Sequence, residues 1–200
     1  MGRLVNLPGR LPSPGTWHID PFHTNAQFVA VHRGAGRVRG RFTRVRGTFD
    51  MATSLVHSTA TVSIDAKSVH TGLAVRDRHL ISAELLDVET YPDVVFEGAG
   101  LILDADGRGT LSGQLTVHGV TRTVILTVAW LGSAPDPFAD GEEHIAFSAV
   151  ASLSLADFGI IAPTVPMLAI RLIEDRVALE LDVVLIRYDP AALLAEMPLG

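Results

Sequence analysis

The chain has 200 residues, a formal net charge of −6 and 48% hydrophobic residues, while aromatic residues make up only 6%. That length suits one domain able to enclose a sizeable core or an internal cavity. The acidic balance argues against general nucleic-acid binding, and the absence of cysteine excludes disulfides, thiolate metal sites and cysteine nucleophiles.

Residues 1–14, with Pro8, Pro12 and Pro14 among Gly and Ser, read as a flexible arm. They contain no apolar run of the length a secretory h-region needs, which favours a cytoplasmic location. No apolar run is long enough to suggest a membrane-spanning helix. From Gly15 onward the dominant signal is alternation of apolar and polar residues, the period of a strand with one face buried. It is clearest in 59–65 and 110–118 and recurs near 16–20, 25–32, 37–49, 93–103, 122–131, 143–155 and 176–187, separated by turns such as Asp104-Ala105-Asp106-Gly107. Eight or nine strands with short turns predict a sandwich or a closed barrel. The runs 122–131 and 176–187 carry aliphatics on both faces, so a partner surface is expected over them, as in a twofold homodimer.

Two segments break the alternation. Leu73, Leu80, Ile81 and Leu85 fall at helical spacing, which predicts a short helix within Val75–Leu86, as a lid or cap. Pro163 and Pro166 preclude a regular strand between Ile160 and Ile173, and Met167–Leu172 are expected to form a turn of helix. Residues 189–200 read as a tail in which Ala191–Met197 form a last amphipathic turn.

Candidate chemistry is sparse. Arg76, Asp77, Arg78 and His79 place an acid, a base and two anion binders together, but helix neighbours do not face one another, and such clusters commonly tie down adjacent loops. The eight histidines form no metal signature, and no nucleophile elbow or phosphate-binding loop is present, so no cofactor or metal is expected. Arg33, Arg37, Arg39, Arg41, Arg44 and Arg46 alternate with apolar residues as on a solvated strand face; a membrane surface or anionic head group is the alternative they allow. Phe28, Phe42, Phe49, Phe96, Leu115, Phe147 and Leu153 lie at alternating positions of different strands. A barrel of about eight strands can pack such residues solid or hold one small ligand among them.

The ordered blocks His23-Thr24, Val38-Arg39-Gly40-Arg41-Phe42, Gly47-Thr48-Phe49, Arg76-Asp77-Arg78-His79-Leu80, Asp87-Val88-Glu89-Thr90-Tyr91-Pro92, Leu115-Thr116-Val117-His118-Gly119-Val120-Thr121 and Asp157-Phe158-Gly159 resemble the YceI-like family over 15–188. The resemblance implies an all-β fold, an extended eight-stranded antiparallel lipocalin-like barrel with a short helical cap. It also implies a tunnel that carries a polyisoprenoid lipid, an isoprenoid quinone or a polyprenyl phosphate, without catalysis. Leu85 and Phe158 would then join the phenylalanines and leucines of the wall, and a head group would sit near Arg76, His79 or the arginine-rich strand. Relatives often carry paired Phe where this chain has Leu85-Leu86, and an Arg where it has Leu155. Two alternatives are an enzyme using His79 or His118 as acid or base on a lipid in the same cavity, and a packed barrel serving as an interaction module.

Overall fold

The computed structural model describes residues 11–32, 36–137, 139, 141–161, 164–165, 170–171 and 173–191. Each alternating run of the sequence forms strand. The strands are β1 Gly15–Ile19, β2 Asn25–His32, β3 Gly36–Phe42, β4 Val45–Met51, β5 Thr59–Asp65, β6 Val69–His70, β7 Asp93–Leu103, β8 Arg108–Val117, β9 Val120–Pro135, β10 Glu143–Ser154, β11 Thr164–Val165, β12 Ile170–Arg171 and β13 Ile173–Ile186. The one α-helix that lies wholly among the described residues is α1, Ala74–Leu80.

The pairings β1–β4, β4–β5, β5–β7, β7–β8, β8–β9, β9–β10, β10–β13 and β13–β1 are all antiparallel and close an eight-stranded ring. Closure leaves these strands no free edge in the ring. β1 is short and meets β13 only at its last residues, His18↔Ile186 and Ile19↔Leu185. The rest of β13 pairs with β2, which carries β3 and β6 outward as an arm of the same sheet. The sequence run 37–49 is thus two strands. Buried Ser68 makes the corner between them: its hydroxyl accepts the amides of Thr43 and Arg44, both at 3.1 Å, and donates to the Asp65 carbonyl at 2.7 Å.

One end of the ring is filled. Trp17, Ile19, Ile145 and Leu185 are its most deeply buried side chains, and Trp130 packs beside Phe147 with ring centres 5.0 Å apart. Arg187 closes this floor from outside, its guanidinium 3.7 Å from the Trp17 ring centre, while Nη2 donates to the carbonyls of Ser13 and Pro14.

Some expectations change. α1 ends at Leu80, short of Leu86, because the Ser82 amide and hydroxyl both turn back to the His79 carbonyl and close the helix in a tight turn. Ile170 and Arg171 pair with Thr164 and Val165 as a short hairpin and not as helix; residues 166–169 and 172 lie outside the described residues. A helical turn does begin at Pro190 and Ala191, beyond which the chain lies outside the described residues. The outer face of β13 exposes Arg176, Ala178, Glu180 and Asp182, and its aliphatics Val184 and Ile186 further along that face are half-buried and buried, so the second of the two doubly apolar strands offers no exposed large aliphatic there.

Candidate functional site: the barrel interior

Above the tryptophan floor the inner faces do not meet. They surround a cavity of about 250 Å³. By the measure in which one water takes about 10–15 Å³, that is room for on the order of twenty, whereas well-packed interiors hold few voids larger than a single water. The packed, cavity-free barrel is thereby set aside.

The wall follows from strand alternation. β5 contributes Ala60, Val62 and Ile64, β8 contributes Leu111, Leu115 and Val117, and β9 contributes Val124, Leu126 and Val128. At Gly98 and Gly113, which face each other across β7 and β8, a side chain would collide with the Phe96 ring, since an added Cβ would lie 2.7 and 2.5 Å from its carbons. These glycines let the ring lie flat against the sheet. Opposite, Phe28 and Phe42 stand side by side on the arm, ring centres 5.8 Å apart.

Nine of the residues expected at the site, Phe28, Phe42, Phe49, Leu85, Phe96, Leu115, Phe147, Leu153 and Phe158, line this cavity. Arg76 and His79 do not. Arg76 Nε donates to Thr71 Oγ1 at 2.7 Å and Nη2 to the Thr71 carbonyl at 2.8 Å, while His79 Nε2 lies 3.0 Å from Glu84 at the surface. Arg76 therefore ties down a loop. Asp77 does the same, accepting the Thr71 amide at 2.9 Å and its hydroxyl, with His70 Nδ1 at 3.3 Å.

Burial alone would raise the Asp77 pKa, but the Thr71 hydrogen bonds and His70 outweigh it and hold the carboxyl below its ordinary 3.8. A carboxylate with a depressed folded pKa stabilises the fold above the unfolded value and loses that contribution as pH falls through the folded one. Asp77→Asn should therefore flatten the loss of stability on acidification in this region. Urea midpoints measured on both sides of that value check this, and parallel curves for the two proteins would contradict it.

Several lining residues fall outside the sequence-derived set, among them Ile19, Ala30, Met51, Leu80, Leu86 and Leu181. For Ala30 and Leu181 the period-2 signal that marks Phe28 and Leu153 was available. Leu80 and Leu86 arrive from the turns after α1, where period says nothing. Among the described lining residues there is no Asp, Glu, His, Lys, Arg or Tyr. His118 serves a different end: with φ of 51° beside Gly119 at 71°, it makes the two-residue turn joining β8 to β9. Tyr91 packs edge-on against it at 4.8 Å and would meet any Cβ at Gly119 within 2.4 Å. Among the described residues no group of three or more His, Asp and Glu is placed to hold a metal ion.

Comparison with known proteins places this geometry. The sequence model described as the YceI-like domain matches residues 17–185. A UPF0312 protein of Pseudomonas putida is 34% identical over 143 residues, covering 70% of this chain and 73% of the relative. One from Vibrio cholerae is 29% identical over 139 residues, covering 69% and 72%. Among solved structures, BcnA of Burkholderia cenocepacia superposes with a TM-score of 0.70 at 17% identity, over 83% of this chain and 98% of that one. A polyisoprenoid binding domain from Saccharophagus degradans gives 0.67 at 17% identity, over 88% and 100%. These structural likenesses show a shared fold.

Proposed function

The chain belongs to the YceI-like domain family, and from that premise we propose that its barrel carries a polyisoprenoid lipid, an isoprenoid quinone or a polyprenyl phosphate, without transforming it. The observation that carries the reading is a cavity walled mostly by aliphatic and phenyl side chains, with a few uncharged polar ones such as Asn25, Gln27 and Thr59 and no ionisable group among the described lining residues. Transferring a branched hydrocarbon chain from water into such a wall contributes about 25 cal/mol per Å² of apolar area, less the cost of ordering the chain. Proton transfer would require an acid or base within hydrogen-bond reach of the ligand, and His79 and His118 are both committed elsewhere. The likeness to a polyisoprenoid binding domain supports the same ligand class.

Organic extraction of the purified protein followed by mass spectrometry tests the proposal. An isoprenoid should be recovered, retained by His79→Ala and His118→Ala and unchanged after prolonged incubation. Phe28→Ala should weaken retention by roughly 1–3 kcal/mol through lost wall contacts. Conversion of the lipid that depends on either histidine would replace the carrier with an enzyme.

A twofold homodimer belongs to the same proposal. Its support is the exposed pair Ile125 and Val150, which lie on adjacent strands of the outer face. Light scattering at micromolar concentration should give twice the chain mass, and a monomer would reject this contact.

A further inference from the structure

Charge is unevenly distributed along this acidic chain. Residues 36–80 contain eight Lys and Arg against three Asp and Glu, a local net of +5, so the remainder carries −11 of a total of −6. Some of those cations are neutralised, Arg44 by Asp65 at 2.6 Å, Arg46 by Asp93 at 2.9 Å and Lys67 by Glu89 at 3.6 Å. Arg37, Arg39, Arg41 and Arg78 have no ion pair among the described residues. Arg37, Arg39 and Arg41 are exposed in one row along β3, alternating with residues turned inward.

The fold brings an apolar feature to the end of that row. Arg41 pairs with His70 of β6, and the next residue, Thr71, is the one that Arg76 and Asp77 bind, which fixes α1 beside the arginines. At the start of α1, Leu73 is 50% and Val75 59% exposed. A few residues on, Leu80, Leu85 and Leu86 enter the cavity wall. The free edge of β3 accounts for arginines alone, since charged side chains deter edge-to-edge pairing, but it gives no reason for the two exposed aliphatics. Apolar side chains on a short helix beside uncompensated cations match the chemistry of an anionic bilayer surface, where hydrocarbon enters the interface and arginines meet lipid phosphates.

We infer that Arg37, Arg39, Arg41 and Arg78 together with Leu73 and Val75 form a docking surface for an anionic lipid bilayer, which sets the leucine-lined end of the cavity against the membrane. The inference rests on the carrier reading, for which such a surface supplies the place where lipid is exchanged.

The test uses the full chain and flotation with phosphatidylcholine vesicles prepared with and without phosphatidylglycerol, at low and high salt. Binding should require phosphatidylglycerol and weaken with salt. Each basic residue near an anionic leaflet strengthens binding roughly fivefold, so the triple variant Arg37→Ala, Arg39→Ala, Arg41→Ala should bind on the order of a hundredfold more weakly. Leu73→Ser with Val75→Ser should reduce binding several-fold at both salt concentrations, and Ile102→Ser, an exposed aliphatic on β7, should leave it unchanged. Equal binding to both vesicle types, no vesicle binding by the wild type, or a triple variant that self-associates yet binds vesicles normally would each overturn the surface. Lipid extracted from the same preparations separates the two ideas: docking variants should keep their lipid, while wild-type protein that binds vesicles but yields no lipid would count against the carrier alone.

Discussion

Trp17→Ala is expected to remove about 3–5 kcal/mol of folding stability, the cost of deleting a buried ring whose site does not collapse. Trp17 has no exposed surface, and its β1 backbone pairs with β4 through Trp17↔Phe49 in the segment where β1 bridges β4 and β13. The ring is also the platform for Arg187, whose cation–π contact is worth roughly 0.5–2 kcal/mol, and its Nε1 donates to the Ser13 carbonyl at 3.1 Å. A domain of marginal stability, about 5–15 kcal/mol, would lose a large share of it. Trp130 makes the natural comparison. It too is buried, but its indole N–H finds no hydrogen-bond partner among the described residues, so Trp130→Phe removes an unsatisfied donor and should cost much less. Urea unfolding of both variants measures the difference. A Trp17→Ala loss under about 1 kcal/mol would mean that the floor is not where ring closure is held.

How legible this molecule is in its sequence depends on the range of the interactions that shape each part. Strands β2, β5 and β7 have the bounds their alternation gives, because each runs as a partly buried strand from one turn to the next. The corner at Thr43 and Arg44 is hidden: the alternating pattern runs through it, and the group that turns the chain is Ser68, more than twenty residues away. β9 extends to Pro135, past the end of its aliphatic run, since its Gly132–Pro135 stretch is carried by pairing with β10 after a register shift at Ala146 and Phe147. The wall of the cavity was legible for the same reason as the strands. Alternation assigns a side chain to a face without saying whether that face is filled. The Arg76–His79 cluster is the converse case. Its composition suggests chemistry, but which side of a short helix faces the cavity is decided by Thr71 and Glu84, contacts that no local spacing announces.

Ala30→Trp should empty the barrel of lipid while leaving the protein folded. Ala30 lies on β2 between Val38 and Val177 of the flanking strands, is buried, and faces the cavity. Because Ala30 lines the cavity, an indole here projects into its open space. If it displaces ligand contact over about 80 Å² of apolar area, the loss is about 2 kcal/mol, or roughly thirtyfold in retention. The fold should tolerate the change, because overpacking costs about 1–3 kcal/mol only where neighbours must move aside. Ile145→Trp supplies the contrast: Ile145 is fully buried in the filled end of the ring and does not line the cavity, so the larger ring must strain its surroundings, and stability should fall along with lipid content. The readouts are isoprenoid recovered per mole of protein and the urea midpoint of each variant. A destabilised Ala30→Trp would indicate that the cavity beside Ala30 is too narrow for an indole and that lost lipid reflects lost fold. A stable variant with undiminished lipid would place the ligand outside the barrel.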